Sequence, residues 1–186
     1  MQLDTQEFLD LAEQTSRLYV FDLESTGLNC DYNSVLCVSI KPFGKKPFTF
    51  SVEQPGNDKK VVREAAECLA EAVGWVGFYS KGFDVKMLEG RLLKWGLPAL
   101  DKKPHMDLYY TVAYKLNPAR RSMAHLCEWL QLPDKKMSVT PSEWNNILAD
   151  CAGTMKRVMK PRCESDTVAA EGLYKRVRHL QKDITR

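Results

Sequence analysis

The sequence predicts a single α/β domain in which helices flank a mixed sheet. Three observations predict it. Residues 18–24 form an apolar run that alternates over two buried faces, two further strand candidates follow it closely, and apolar residues recur at helical spacing beyond residue 60, between short apolar runs. A chain of 186 residues suits one domain better than two. We therefore expect one domain over residues 1–186, with its core at about 18–180.

The first quarter of the chain predicts one helix and three strands. A short helix is expected over residues 4–15, where Phe8, Leu9 and Leu11 stand in a polar background. The strand at 18–24 comes next, and the runs 34–40 and 47–53 add two strands on either side of a turn. This order is typical of an antiparallel meander that opens a sheet.

The rest of the chain is predicted to be mainly helical, with a short strand at 75–79. Gly96-Leu97-Pro98 ends one helix. Thr140-Pro141-Ser142-Glu143 begins another, with an N-cap Thr, Pro at the first helical position and Glu three residues after the cap. The expected helices are 61–73, Asp84 to about Trp95, 108–116, 122–130, one from Thr140, and one from about Pro161 toward Leu180.

Composition narrows the function classes only partly. The net charge of +3 does not by itself indicate a nucleic-acid binder, and the basic clusters at 156–162 and 175–182 suit either phosphate contacts or a solvated face. The six cysteines show no C-x-x-C spacing, which argues against a zinc site or a disulfide framework. Because the sequence contains neither a signal peptide nor an apolar run of membrane-spanning length, we expect a cytoplasmic protein with no membrane partner.

Two acids continue a face of the first strand that should be buried. Side chains alternate along a strand, so Asp22 and Glu24 share the face of Leu18 and Val20. Two like charges in a poorly solvated place are costly unless a cation is shared between them. The alternative is a strand that has reached solvent by Asp22.

Two further acids occupy positions that should face the core. Asp84 heads the apolar stripe of its helix, where it is either a ligand or an N-cap. Asp166 lies within the apolar stripe of the last helix, where Arg162, one turn earlier, could instead neutralise it as a structural ion pair. Because burial of four separate carboxylates is improbable unless they meet, we expect Asp22, Glu24, Asp84 and Asp166 to hold two Mg²⁺ or Mn²⁺ ions.

The order and setting of these acids resemble the DEDD superfamily of 3′→5′ exonucleases. Its first motif, D-x-E-[ST]-T-G after an apolar strand, is similar to Phe21-Asp22-Leu23-Glu24-Ser25-Thr26-Gly27-Leu28. Its second resembles Phe78-Tyr79-Ser80-Lys81-Gly82-Phe83-Asp84, although the family often has Asn where Ser80 stands. Its third, an Asp in the last helix, resembles Arg162-Cys163-Glu164-Ser165-Asp166-Thr167.

The resemblance is closest to predicted exonucleases related to the proofreading domains of family B polymerases. His105-Met106-Asp107-Leu108, followed by a helix containing Ser122-Met123-Ala124-His125-Leu126, is similar to that branch. The resemblance implies a ribonuclease-H-like fold, with three leading antiparallel strands and then parallel strands. It also implies substrate contacts, and we assign these to Thr26, Gly27, Leu28, Phe83, His105 and Asp107.

One position departs from the family. Its members place a Tyr four residues, or a His five residues, before the last Asp, to orient or deprotonate the attacking water. Here these positions hold Arg162 and Pro161, and arginine cannot act as a base near neutral pH. Three explanations stay open: the metal pair suffices, His105 or Tyr79 assists, or hydrolysis is weak. Arg162 could instead contact the scissile phosphate or shield the metal cluster.

The expected function is hydrolysis of single-stranded nucleic acid from its 3′ end, of DNA rather than RNA, with release of nucleoside 5′-monophosphates. A replication or repair partner would suit such an enzyme. One alternative is a polymerase-associated or nucleic-acid-binding module that keeps the fold with weak catalysis. The other takes Asp22 as the nucleophile of an aspartyl-phosphate phosphatase, although Glu24 and Ser25 mismatch that motif.

Overall fold

The computed structural model of the protein describes residues 5–133, 137 and 139–180. Its strands form one five-stranded sheet in the order β3-β2-β1-β4-β5. The first strand pairs antiparallel with the second and parallel with the fourth, so β1 lies at the centre. The strands are β1 Leu18–Ser25, β2 Val35–Pro42, β3 Phe48–Ser51, β4 Gly74–Gly77 and β5 His105–Asp107.

The predicted mixed sheet is confirmed: an antiparallel meander is followed by two parallel strands, with helices on both faces. The predicted helix start at Thr140 has both hydrogen bonds of a capping box. The helices are α1 Thr5–Gln14, α2 Lys59–Glu71, α3 Asp84–Lys94, α4 Leu108–Lys115, α5 Met123–Trp129, α6 Pro141–Ala149, α7 Cys151–Thr154 and α8 Lys160–Val177. Residue 4, the predicted start of the first helix, lies outside the described residues.

The last helix, α8, begins at Lys160, one residue before the predicted start at Pro161, and a further helical stretch from Cys151 leads into it. A π-helical turn, Met155–Met159, joins α7 to α8, and a short 3₁₀ turn, Arg178–Leu180, follows. The N–H of Lys160 donates to the carbonyl of Met155, five residues earlier. Because proline has no N–H and is common where helices begin, Pro161 correctly indicated the start of α8, whose first residue, Lys160, directly follows this turn.

The central strand β1 divides the core into two layers. Phe21 and Leu23 point into the layer that contains residues of α2 and α3. Leu18 and Val20 point into the opposite layer, which contains residues of α1, α4, α5 and α8. The predicted alternation is therefore confirmed. Because Asp22 and Glu24 continue the face of Leu18 and Val20, their side chains point toward α8.

A buried charged cluster joins the layer of α2 and α3 to the loop between β1 and β2. Both Asp58 and Arg91 are almost fully buried, and the Asp58 carboxylate accepts hydrogen bonds from Nε and an NH2 group of Arg91, each at 2.8 Å. It also accepts from the indole of Trp95 and the N–H of Val35. Arg91 in turn donates to the carbonyl of Cys30 at 3.1 Å. The cluster thus fixes the loop that leads from β1 to β2.

No helix within the described ranges is both long and apolar enough to cross a lipid bilayer.

Candidate functional site

Three of the predicted acids meet at the end of β1. Oxygen atoms of Asp22, Glu24 and Asp166 all lie within 4.8 Å of one another. Glu24 and Asp166 are buried, with 7% and 2% of their surface exposed, while Asp22 is partly exposed. The alternative of two solvated acids at a strand end therefore does not hold for Glu24.

The position of Asp166 follows from the way α8 is attached to the sheet. The thiol of Cys163 donates to the carbonyl oxygen of Asp22 at 3.2 Å. Burial, together with nearby Cys37, raises the pKa of Cys163 well above its usual range, so the thiol keeps its proton. Residues three apart share a helix face, and Asp166 therefore points at the same strand end as Cys163.

The fourth acid, Asp84, lines the same groove as the other three but lies outside their 4.8 Å cluster. It is the first residue of α3, and its Oδ1 accepts the N–H of Leu23 on β1 at 3.0 Å. Burial raises the pKa of Asp84 to about 7. The hydrogen bond from Leu23 acts to lower this pKa, while the nearby charges of Asp107 and Glu24 raise it further. The predicted N-cap role is wrong in detail, because Phe83 is the N-cap residue and the carboxylate binds the neighbouring strand.

Arg162 also reaches the acid cluster. Its Nε forms an ion pair with Glu24, and its NH1 donates to the carbonyl of Met137 at 3.2 Å. The sequence left open an ion pair of Arg162 with Asp166, and the structure shows one with Glu24 on β1. Although burial acts to lower the pKa of Arg162, Glu24, Asp166 and Asp22 raise it overall, so the side chain stays a cation beside the acids.

The predicted substrate residues of the first two motifs, Thr26, Gly27, Leu28 and Phe83, line a second groove that adjoins the acids. Leu28, with 79% of its surface exposed, and Phe83 border both grooves. Thr26 and Gly27 border the second groove, opposite Trp144 and Ile147 of α6. A methyl group on Gly27 would come within 2.5 Å of the Asn33 side chain, which explains glycine at this point of the motif.

His105 and Asp107 lie on β5, which the sequence analysis did not identify as a strand because it is only three residues long. His105 packs against the rings of Phe21 and Trp75 and hydrogen-bonds to Ser80 at 2.9 Å. Burial, with a smaller contribution from Lys81, lowers the pKa of His105 to about 3. The structure therefore places a neutral histidine in the core, outside the groove of the acids.

Asp107 organises the loop that carries Phe83 and Asp84. Its buried carboxylate accepts the N–H groups of Tyr79, Lys81 and Tyr109 at 2.9, 2.8 and 3.0 Å. Burial raises the pKa of Asp107, and these hydrogen bonds oppose that rise. The structure thus gives Asp107 a positioning role between β4 and α3.

The change Asp107→Ala is expected to loosen this loop and to displace Asp84. Removing an acceptor from three buried N–H groups should lower the free energy of unfolding by about 1–3 kcal/mol. Amide hydrogen exchange over residues 78–84 should quicken, with partial rescue in Asp107→Asn. Unchanged exchange over 78–84 in the alanine variant would contradict the positioning role.

Comparison with known proteins agrees with this architecture. A family model of the RNase_H superfamily, RNase_H_2, matches residues 19–143, a range that includes Asp22, Glu24 and Asp84. No curated protein matches the chain. The chain is similar in structure to the family B DNA polymerase of the hyperthermophilic archaeon Pyrobaculum calidifontis, with a TM-score of 0.67 and 19% sequence identity. The match covers 87% of the present chain.

The polymerase likeness concerns the fold, and the match occupies only 24% of the polymerase chain. Both matches confirm the ribonuclease-H-like fold that the resemblance implies, and neither favours an aspartyl-phosphate phosphatase. The fold and the acid cluster together support a nuclease type of function. The chain belongs to the RNase_H superfamily.

Proposed function

We propose that this protein is a metal-dependent 3′→5′ exonuclease that shortens single-stranded DNA one nucleotide at a time. The observation that carries the proposal is the meeting of Asp22, Glu24 and Asp166 within 4.8 Å at the end of β1. Carboxylates from a strand and from the last helix converge there, although more than 140 residues separate them in sequence. Such convergence suits a shared cation better than it suits stability, because three carboxylates this close repel one another and Arg162 supplies a single positive charge.

The donor set fits Mg²⁺ or Mn²⁺. All three residues of the cluster offer carboxylate oxygens, the hard ligands that these ions prefer over the nitrogen and sulfur ligands typical of zinc. Asp22, Glu24 and Asp166 would hold the metal, and Asp84 on the same groove would complete a site for a second ion. When bound, such ions lower the pKa of water and neutralise charge on a phosphodiester.

The protein's own groups would place the strand for an in-line attack. Leu28 and Phe83, which border both grooves, would contact the terminal nucleotide and direct its phosphodiester toward the acids. Glu24 would also position the attacking water. Arg162 stays protonated and would donate hydrogen bonds to the scissile phosphate. Hydrolysis would leave a nucleoside 5′-monophosphate and a strand shorter by one residue.

A digestion assay with blocked ends tests the polarity. Single-stranded DNA labelled at its 5′ end should give a ladder of products shortened stepwise from the 3′ end in Mg²⁺ or Mn²⁺, and none in EDTA. A phosphorothioate at the last 3′ linkage should suppress the ladder, whereas one at the first 5′ linkage should not. Internal fragments, or equal digestion of both blocked strands, would contradict the proposal. The same assay with RNA determines the substrate preference.

The ion pair between Arg162 and Glu24 favours a second candidate, a nucleic-acid-binding module with weak catalysis. The guanidinium engages one of the carboxylates that would bind the metal, and no tyrosine or histidine occupies the positions where the family places one. This candidate predicts tight binding of single strands with no Mn²⁺-stimulated release of nucleotides. It also predicts that Arg162→Tyr, which restores the family residue, creates or raises turnover.

For either candidate, Arg162→Gln is expected to strengthen Mn²⁺ binding by about tenfold, because the cation no longer competes for Glu24. In EDTA the same variant should lose about 2 kcal/mol of stability, since Glu24 loses its buried counter-charge. Calorimetric titration and melting in EDTA measure the two effects. Arg157→Gln, which removes an exposed pair with Asp150, is the matched control and should change neither quantity. Unaltered Mn²⁺ affinity in Arg162→Gln would show that the guanidinium does not compete with the metal.

A further inference from the structure

A row of tyrosines begins at the acid groove and continues along α4. Tyr79 lines the groove together with Asp84 and Asp166. Its ring centroid lies 5.9 Å from that of Tyr110, which in turn lies 6.1 Å from that of Tyr114. We call Tyr79, Tyr110 and Tyr114 the tyrosine row. It gives the groove an aromatic extension that the nuclease site alone does not require.

The backbone holds the row in place. Tyr110 and Tyr114 are one turn apart on α4, and their rings are nearly parallel, with an interplanar angle of 16°. Tyr79 adopts a left-handed backbone conformation, with φ of 61°, that non-glycine residues rarely take. The carboxylate of Asp107 fixes its N–H, and Gly82 leaves room for its ring, since a methyl group there would approach the ring to 2.5 Å. Strain of this kind is typical of a binding site.

The rings are exposed although they are large and partly apolar. Tyr79 has 44% of its surface exposed and Tyr114 has 80%. An aromatic face open to water at the outer end of the row contributes little to the core, so burial does not explain why the ring is there. A planar ligand that stacks on the row would cover this surface.

The charge around the row complements a polyanion. Lys81 follows Tyr79 closely in the loop before α3, and Lys115 follows Tyr114 directly. Exposed Arg120 and Arg121 come next in the sequence, and Asp107, the acid that contacts the row, is buried and bonded to backbone N–H groups. Stacking rings flanked by lysine and arginine are the combination that proteins use to bind single-stranded nucleic acid.

We infer that the tyrosine row is a stacking track for unpaired bases of the strand whose 3′ end enters the acid groove. Continuity supports this occupant, because Tyr79 borders the groove and starts the row. A single strand offers base faces that a duplex keeps stacked on one another, so the track selects unpaired strands regardless of their sequence. The inference rests on the proposed nuclease function for the direction in which the strand runs.

Binding of a fluorescein-labelled oligothymidylate series, from a dinucleotide upward, tests the track. Anisotropy in Ca²⁺, used in place of Mg²⁺ to preserve the strand, should show about tenfold weaker binding by Tyr114→Ala for longer strands. The loss should be smaller for strands too short to reach from the acids to Tyr114. Tyr114→Phe, which keeps the ring, should bind like the wild type, as should Leu93→Ala, which removes another exposed apolar side chain on α3.

The outcomes separate the track from the nuclease function. Equal affinity of the wild type and Tyr114→Ala at every length would refute the track, even if the wild type digests DNA. The track would also be refuted if Tyr114→Ala lost as much affinity for a blunt duplex, because such a loss would indicate contacts to phosphates. An equal loss of affinity in Tyr114→Phe would refute it as well. A length-dependent loss in a protein that digests nothing would support the track and refute the nuclease. If the row binds a protein partner instead of a strand, Tyr114→Ala should bind the oligonucleotide as tightly as the wild type does, and this result would also refute the track.

Discussion

Replacing Asp166 by asparagine is expected to abolish metal-dependent hydrolysis while the protein stays folded. Asp166 is the carboxylate that α8 brings to the two acids of β1, and asparagine keeps its shape while removing its charge. Losing one carboxylate of a metal site should cost about 4 kcal/mol of transition-state stabilisation, or about a thousandfold in rate. Release of nucleotides from a labelled strand in Mn²⁺ measures it.

The same variant has a second readout that does not depend on activity. In EDTA, Asp166→Asn should melt at the same temperature as the wild type or higher, because one of three crowded charges is gone. Mn²⁺ should then raise the melting temperature of the wild type and not that of the variant. Glu164→Gln, on the same helix but bonded to Thr49, should behave as the wild type in both assays. Full activity of Asp166→Asn would exclude the proposed site.

Replacing Asp58 by alanine should lower the free energy of unfolding by about 3–5 kcal/mol. The change leaves the guanidinium of Arg91 buried without its carboxylate, and it also removes the acceptor for Trp95 and for the N–H of Val35. Urea unfolding measures this loss. Asp101→Ala, which breaks an exposed pair with Lys103, is the matched control, with a change below about 1 kcal/mol.

The Asp58 variant also bears on the site. Arg91 holds the carbonyl of Cys30, and Cys30 lies in the loop that follows Leu28. A destabilised loop should therefore raise KM more than it lowers kcat, because Leu28 would contact the substrate and the acids stay where they are. A stability within about 1 kcal/mol of the wild type would show that Arg91 finds another partner.

Local pattern predicted the parts of the site that lie on regular elements. The alternation of β1 indicated that Asp22 and Glu24 face one layer, and the apolar stripe of the last helix indicated that Asp166 faces inward. Both signals are periodic, so they can be recognised without knowing which elements pack against the strand or the helix. The resemblance then added the order of the acids along the chain.

The contacts between distant segments could not be predicted from pattern. Asp58 stands in a polar stretch, Asn57-Asp58-Lys59-Lys60, that is typical of an exposed turn, and only the fold brings Arg91 to it. The hydrogen bond of Asp84 to Leu23 and the pair of Arg162 with Glu24 likewise join segments far apart in sequence. The short strand β5 gave too few residues for any periodicity.

The hydrogen bonds that Asp107 accepts from the loop before α3 have an evolutionary consequence. Main-chain N–H groups are the same for every residue except proline, so a carboxylate that binds them restrains the backbone without constraining which side chains it carries. Position 81 can therefore diversify while Asp84 keeps its place, whereas the left-handed backbone at Tyr79 limits which residues fit there. Under the proposed function, a single substitution at position 81 could therefore change which strand binds while the acid groove keeps its geometry.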